Sequence, residues 1–175
     1  IEPFDSTFYF NDLDWYVNQA TKSNAKVILN LGYKLPRWPE CREPEWLSSQ
    51  EQNYKYQRRL DMLNKVINHY EDSSTVVAFQ LENEPLLEFG ECPKPDRDFL
   101  VKEVEFVKVK TKKPIIITDS GELRSWKTPM QLSDIFGTTL YRVVETPWFG
   151  PFQYPLRPYF YRTKSDLVRM LFAPQ

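Results

Sequence analysis

Apolar positions along this chain follow two alternating patterns. Short runs rich in β-branched residues, 26–31, 75–81, 114–118 and 135–140, predict four strands. Between them, apolar residues recur three or four positions apart, which predicts helices. Residues 11–22 place Leu13, Val17 and Ala20 on one side, with Asn11 or Asp12 as the cap. Residues 50–70 place Tyr56, Leu60, Leu63 and Ile67 on one face, and Asp96 opens a helix to Lys110 with Leu100, Val104 and Val107 inward. Residues 126–132 predict a short helix and 165–172 a last one. Residues 144–158 carry four prolines and read as a long loop, of a length that is often functional.

Continuous apolar strands alternating with helices imply an α/β fold with a parallel sheet. Four such strands match half of a (β/α)8 barrel, whose closure takes eight strands and typically ~250 residues. The expectation is a partial barrel, about strands three to six with flanking helices. The rival is a complete small doubly wound α/β domain with a non-catalytic ligand- or protein-binding role. Both ends, Ile1-Glu2-Pro3 and Ala173-Pro174-Gln175, read as mid-domain sequence, so residues 1–175 are expected to be a single piece of one domain, cut at both ends.

Composition narrows the function classes. At 175 residues, 41% hydrophobic and 27% charged, the chain is long enough for one real core. A net charge of −1 gives no electrostatic pull toward nucleic acid or anionic membrane. No run of ~18 apolar residues is present, so no membrane insertion is expected. The one histidine, His69, and the two cysteines fit no metal-ligand spacing; neither a metal nor another cofactor is expected. Aromatic residues are 15% of the chain, which serves either a core or a surface where the C–H faces of sugars stack on rings.

The chemistry concentrates in Gln80-Leu81-Glu82-Asn83-Glu84-Pro85, where the second strand gives way to a loop. Active sites of α/β folds gather at the C-terminal ends of strands. By residue type alone, Asn83-Glu84-Pro85 is equally a capped turn with a solvated carboxylate. Glu82 lies two residues deeper and is expected to support the strand end through a hydrogen bond or ion pair.

Taken together, several segments resemble the clan A (β/α)8-barrel glycoside hydrolases, families 5, 35 and 42 especially. Thr7-Phe8-Tyr9-Phe10-Asn11-Asp12-Leu13-Asp14 resembles the segment after the second barrel strand. Val27-Ile28-Leu29-Asn30-Leu31-Gly32 followed by Pro36-Arg37-Trp38-Pro39 resembles the third strand and its loop, and Gln80-to-Pro85 resembles the fourth. The resemblance implies a retaining β-glycosidase acting on a β-linked oligo- or polysaccharide, of cellulase or β-galactosidase type. Glu84 would be the general acid/base, and Asn83 would bind the sugar 2-hydroxyl. Tyr141 matches a position near the nucleophile. Trp38 and Trp126 are candidates for sugar stacking or for packing. Glu88, Glu91 and Glu122 are expected at the surface of nearby loops. The nucleophilic Glu of the seventh strand falls outside this sequence, so Glu84 is expected to lack a carboxylate partner at the ~5–5.5 Å of a retaining mechanism, and any like-charged neighbour.

Cys41 and Cys92 lie in the loops after neighbouring strands, which emerge on one face of a parallel sheet. They are therefore expected to be close, and a disulfide needs Cα atoms ~4.4–6.8 Å apart. A joined pair favours an extracellular or periplasmic location.

Overall fold

The computed structural model describes residues 1–121, 123–146 and 148–172. Helix α1 (Asn11–Lys22) precedes strand β1 (Val27–Leu31), and the short α2 (Glu45–Ser48) leads into α3 (Gln52–Tyr70). Strand β2 (Val76–Leu81), α4 (Arg97–Lys108), β3 (Ile115–Asp119), α5 (Lys127–Leu132) and β4 (Ile135–Thr138) follow. Strands β5 (Val143–Thr146) and β6 (Gly150–Gln153) and helix α6 (Pro158–Phe172) complete the order.

β1 to β4 form one parallel sheet in chain order. That order has no reversal, and a doubly wound sheet needs one; the rival topology is thereby excluded. Successive right-handed crossovers give this order directly. Leu29, Leu31, Phe79, Leu81, Ile115 and Ile117 meet Val17 of α1, Leu63 and Ile67 of α3, and Leu100, Val104 and Val107 of α4 in one core. The opposite face carries Ile28 at 56%, Val77 at 39% and Ile135 at 47% exposure. Val77 is the extra residue where the β1–β2 register shifts, between Val27↔Val76 and Ile28↔Ala78. Ala78 and Ile116, in register with Ile28 and Ile135, are buried on that face, and helices on one face with partly exposed aliphatic side chains on the other describe a segment of barrel wall.

Local sequence accounts for the start of α4. Asp96 caps α4, its side chain accepting from Phe99 N–H at 2.9 Å. α1 departs from expectation: its N-cap is Phe10, with no side-chain cap. Asp14 instead accepts from Tyr70 at 2.7 Å and lies 2.8 Å from His69 Nε2, while Phe10 stacks on the His69 ring. The expected long loop at 144–158 contains the antiparallel hairpin β5–β6, and α6 begins at Pro158. Here proline spacing misled: Pro151 sits in a two-stranded ribbon, where only edge positions exist. Glu122 lies outside the described residues.

Ile67 is fully buried in the main core, and Val109 is 79% exposed at the end of α4. Ile67→Ala is expected to lower stability by about 2–5 kcal/mol. Val109→Ala is expected to stay within about 0.5 kcal/mol of wild type. Urea titrations followed by circular dichroism check both; equal losses at the two positions would contradict the assigned core.

Candidate active site

The chain beyond β2 does not continue as a strand. Glu82 and Glu84 both adopt left-handed backbone, φ 54° and 46°, so strand alternation no longer decides where their side chains go. Glu82 turns toward α3. Its carboxyl accepts from the backbone N–H groups of Tyr33 at 3.0 Å and Lys34 at 2.6 Å, and lies 3.7 Å from Arg59. Gly32, at φ 110°, makes this possible, since a Cβ there would lie 2.2 Å from the Glu82 carboxyl. Arg59 also approaches Glu103 at 3.6 Å. Burial pushes both carboxyls above the ordinary range. It pushes Glu103 further: the charge of Glu82 adds to the rise there, whereas two backbone donors oppose the rise at Glu82, and Arg59 opposes both. These groups line a cavity of about 410 Å³ behind the strand ends, walled by Tyr56, Phe99 and the Cys41–Cys92 pair.

Glu84 turns the other way, into a separate cleft of about 340 Å³. Glu40, Phe89, Tyr141, Val144 and Tyr154 line it with Ser120 and Thr139. Thr118 Oγ1 fixes the turn: it accepts from Glu84 N–H at 2.9 Å and donates to Asn83 Oδ1 at 3.5 Å. Gln80 Nε2 donates to the same Asn83 oxygen at 3.4 Å. Thr139 Oγ1 donates to Glu84 Oε1 at 3.0 Å. The Glu84 side chain is buried, 7% exposed. Burial raises its carboxyl above the usual range; Glu40 and Asp119 add to the rise, and Thr139 and Lys34 oppose it. The like-charged neighbour thought to be missing is present twice. This cleft, rather than the larger cavity, is the candidate site: it opens at the C-terminal strand ends with a carboxyl biased toward its acid form, whereas the raised carboxyls of the larger cavity, Glu82 and Glu103, are both tied to Arg59.

The remaining candidates divide. Tyr141 lines the cleft with Glu84. Trp38 is exposed and meets Phe89 edge-on at 6.1 Å, beside the cleft rather than in its wall. Asn83 is buried beneath it, held by Gln80 and Thr118. Trp126 is not a sugar platform: it is 1% exposed, packs with Met130 and Val168, and donates to the carbonyls of Ser120 and Gly121. Cys41 and Cys92 form a disulfide with Cα atoms 5.2 Å apart. Glu40, Phe89, Thr139 and Tyr154 were not singled out from the sequence. Thr139 could have been, since it follows a strand end as Glu84 does. Glu40 stands beside a cysteine with no other mark.

No protein-family model matches this chain, and no curated protein is similar to it in sequence. Solved structures do match. A β-galactosidase from Bacillus circulans sp. alkalophilus aligns with 97% of this chain at TM-score 0.61 and 13% identity. The β-galactosidase from the Antarctic haloarchaeon Halorubrum lacusprofundi aligns with 85% at TM-score 0.63 and 13% identity. A glycosylated endo-β-1,4-xylanase of glycoside hydrolase family 10 from Gloeophyllum trabeum aligns with 69% at TM-score 0.54 and 18% identity. The chain spans 36%, 35% and 39% of those three chains. At such identities the likeness is one of fold, and the fold is that of a stretch of barrel wall.

Gly32→Ala is expected to destabilise the protein by about 1–3 kcal/mol through the clash with Glu82; equal stability in urea would show that the two do not meet. For Glu84, the folded-state pKa lies above the unfolded one. The carboxyl therefore favours folding below its unfolded pKa and loses that contribution as pH rises through the folded value. Glu84→Gln is then expected to raise the melting temperature near pH 7 and to lose this advantage below about pH 4. Thermal scans at both pH values check the sign.

Proposed function

We propose that this chain forms the acid-bearing part of a retaining β-glycosidase. Glu84 is the general acid/base and Asn83 the contact to the sugar 2-hydroxyl. The observation that carries this reading is Glu84 itself: buried, pushed toward its protonated form, and presented in a cleft at the C-terminal ends of parallel strands. In such a reaction a carboxylic acid protonates the leaving oxygen, and the same group as carboxylate later activates water. Thr118 supports both residues of the pair through one hydroxyl. Tyr141 and the Trp38–Phe89 pair offer rings to a β-linked oligo- or polysaccharide.

The nucleophilic carboxylate, in this reading, comes from a segment outside residues 1–175. The partly exposed aliphatic face around Ile28, Val77 and Ile135 and the partial span of the similar barrels support that view. The Cys41–Cys92 bond fits a protein that works outside the cytoplasm.

Aryl and alkyl β-glycosides test the assignment in protein that also contains the nucleophile. Glu84→Gln is expected to cost roughly 10²–10⁴-fold in kcat/KM on poor leaving groups and far less on activated aryl glycosides, which need no proton. Equal losses on both substrates, or none, would falsify the role. Residues 1–175 alone are expected to show no turnover.

A further inference from the structure

Among the described residues, two carboxylates line the cleft, Glu84 and Glu40. Glu40 is held there by unusual means. Its backbone is left-handed, φ 71°, a conformation side chains other than glycine rarely adopt. Its N–H donates to Arg37 O and its carbonyl accepts from Leu35 N–H. Gly90 packs against the same turn, where a Cβ would come within 2.5 Å of Pro39 O and 3.1 Å of Glu40 Cβ. The next residue, Cys41, is crosslinked to Cys92, on the loop that follows Glu84. Lys34 Nζ donates to the carbonyls of Glu84 at 3.1 Å and Leu87 at 2.6 Å, and lies 3.4 Å from Glu40 Oε2. That buried oxygen takes no hydrogen bond among the described residues.

We propose that Glu40 is a positioning residue for Glu84: a second carboxylate in the same cleft, beside the Cys41–Cys92 crosslink, that engages the Lys34 ammonium which also binds the Glu84 backbone. The proposal rests on the reading of Glu84 as proton donor. Among the described residues, several groups act on Glu84 in opposite senses. Lys34 from the end of β1 and the Thr139 hydroxyl beyond β4 favour the carboxylate. Glu40 favours the acid, as does Asp119 at the end of β3, which Arg124 approaches at 3.4 Å. Tyr141 and Tyr154 also line the cleft. Without Glu40 the cationic Lys34 would lose its partner in the cleft and act on Glu84 alone. The balance at Glu84 would then shift toward its carboxylate, the form that cannot donate a proton.

Titration of the Glu84 carboxyl by ¹³C NMR tests this without reference to turnover, the resonance being assigned by its loss in Glu84→Gln. Glu40→Gln is expected to move the midpoint to lower pH. The crosslink-free form, Cys41→Ser with Cys92→Ser, is expected to move it the same way. Thr139→Val is expected to move it to higher pH, and Glu40→Asp, which keeps the charge, to restore it toward wild type. Glu40→Gln is nearly isosteric, and the crosslink-free form reaches the same end without touching Glu40, so each checks the other. In active protein the alkaline limb of kcat/KM should follow these shifts. An unmoved midpoint in Glu40→Gln overturns the proposal even where Glu84-dependent turnover is intact. Shifted midpoints together with no turnover in protein that also contains the nucleophile support the coupling of the two carboxyls and overturn the hydrolase reading instead.

Discussion

Glu82 places a carboxyl group with almost no access to water, and the surrounding chain is arranged to answer it. Two backbone N–H groups from the end of β1 and the Arg59 guanidinium from α3 converge on it. Breaking such a buried pair typically costs about 3–5 kcal/mol, because the survivor is left uncompensated. The pairing therefore fixes three elements at once: the end of β1, the end of β2 and the middle of α3. Arg59 lies between the Tyr33 and Phe99 rings, 4.6 and 5.2 Å from their centroids, which ties α4 into the same knot. Through Glu103 that tie becomes electrostatic as well.

This knot has a second effect, on the residue two positions along. With Glu82 drawn behind the sheet and Asn83 tied to Gln80 and Thr118, the chain turns so that Glu84 faces the front. Two left-handed residues, each costing of order 1–3 kcal/mol, are tolerated because hydrogen bonds on both sides over-determine them. Two glutamates in one short motif thus serve opposite ends: one gives up water to brace the fold, the other keeps a cleft around it.

Much of the fold was legible in the sequence because its signals are periodic. The continuous runs around Leu29, Phe79 and Ile117 specify buried parallel strands, and α3 and α4 repeat at helical spacing. The hairpin at Val143–Gln153 was hidden by its prolines. The place of Glu84 just beyond a strand end was legible from the apolar run before it. Trp126 was not, since nothing local distinguishes a ring that stacks on sugar from one that packs on Met130 and Val168. Glu40 and Thr139 reach Glu84 from 44 and 55 residues away in sequence. Contacts of that range follow from how the loops return across the strand ends, which no short window records.

The disulfide has a consequence of covalent bookkeeping. It joins positions 51 residues apart, and α3, β2, Glu82 and Glu84 all lie inside that span. A protease that cut one exposed peptide bond between the two cysteines would yield two polypeptides but not two molecules. They would migrate together in electrophoresis until a reductant was added. Glu40 precedes the first cysteine and Glu84 lies inside the loop, so a nick in the α2 segment would place the two carboxylates on different polypeptides of one linked body.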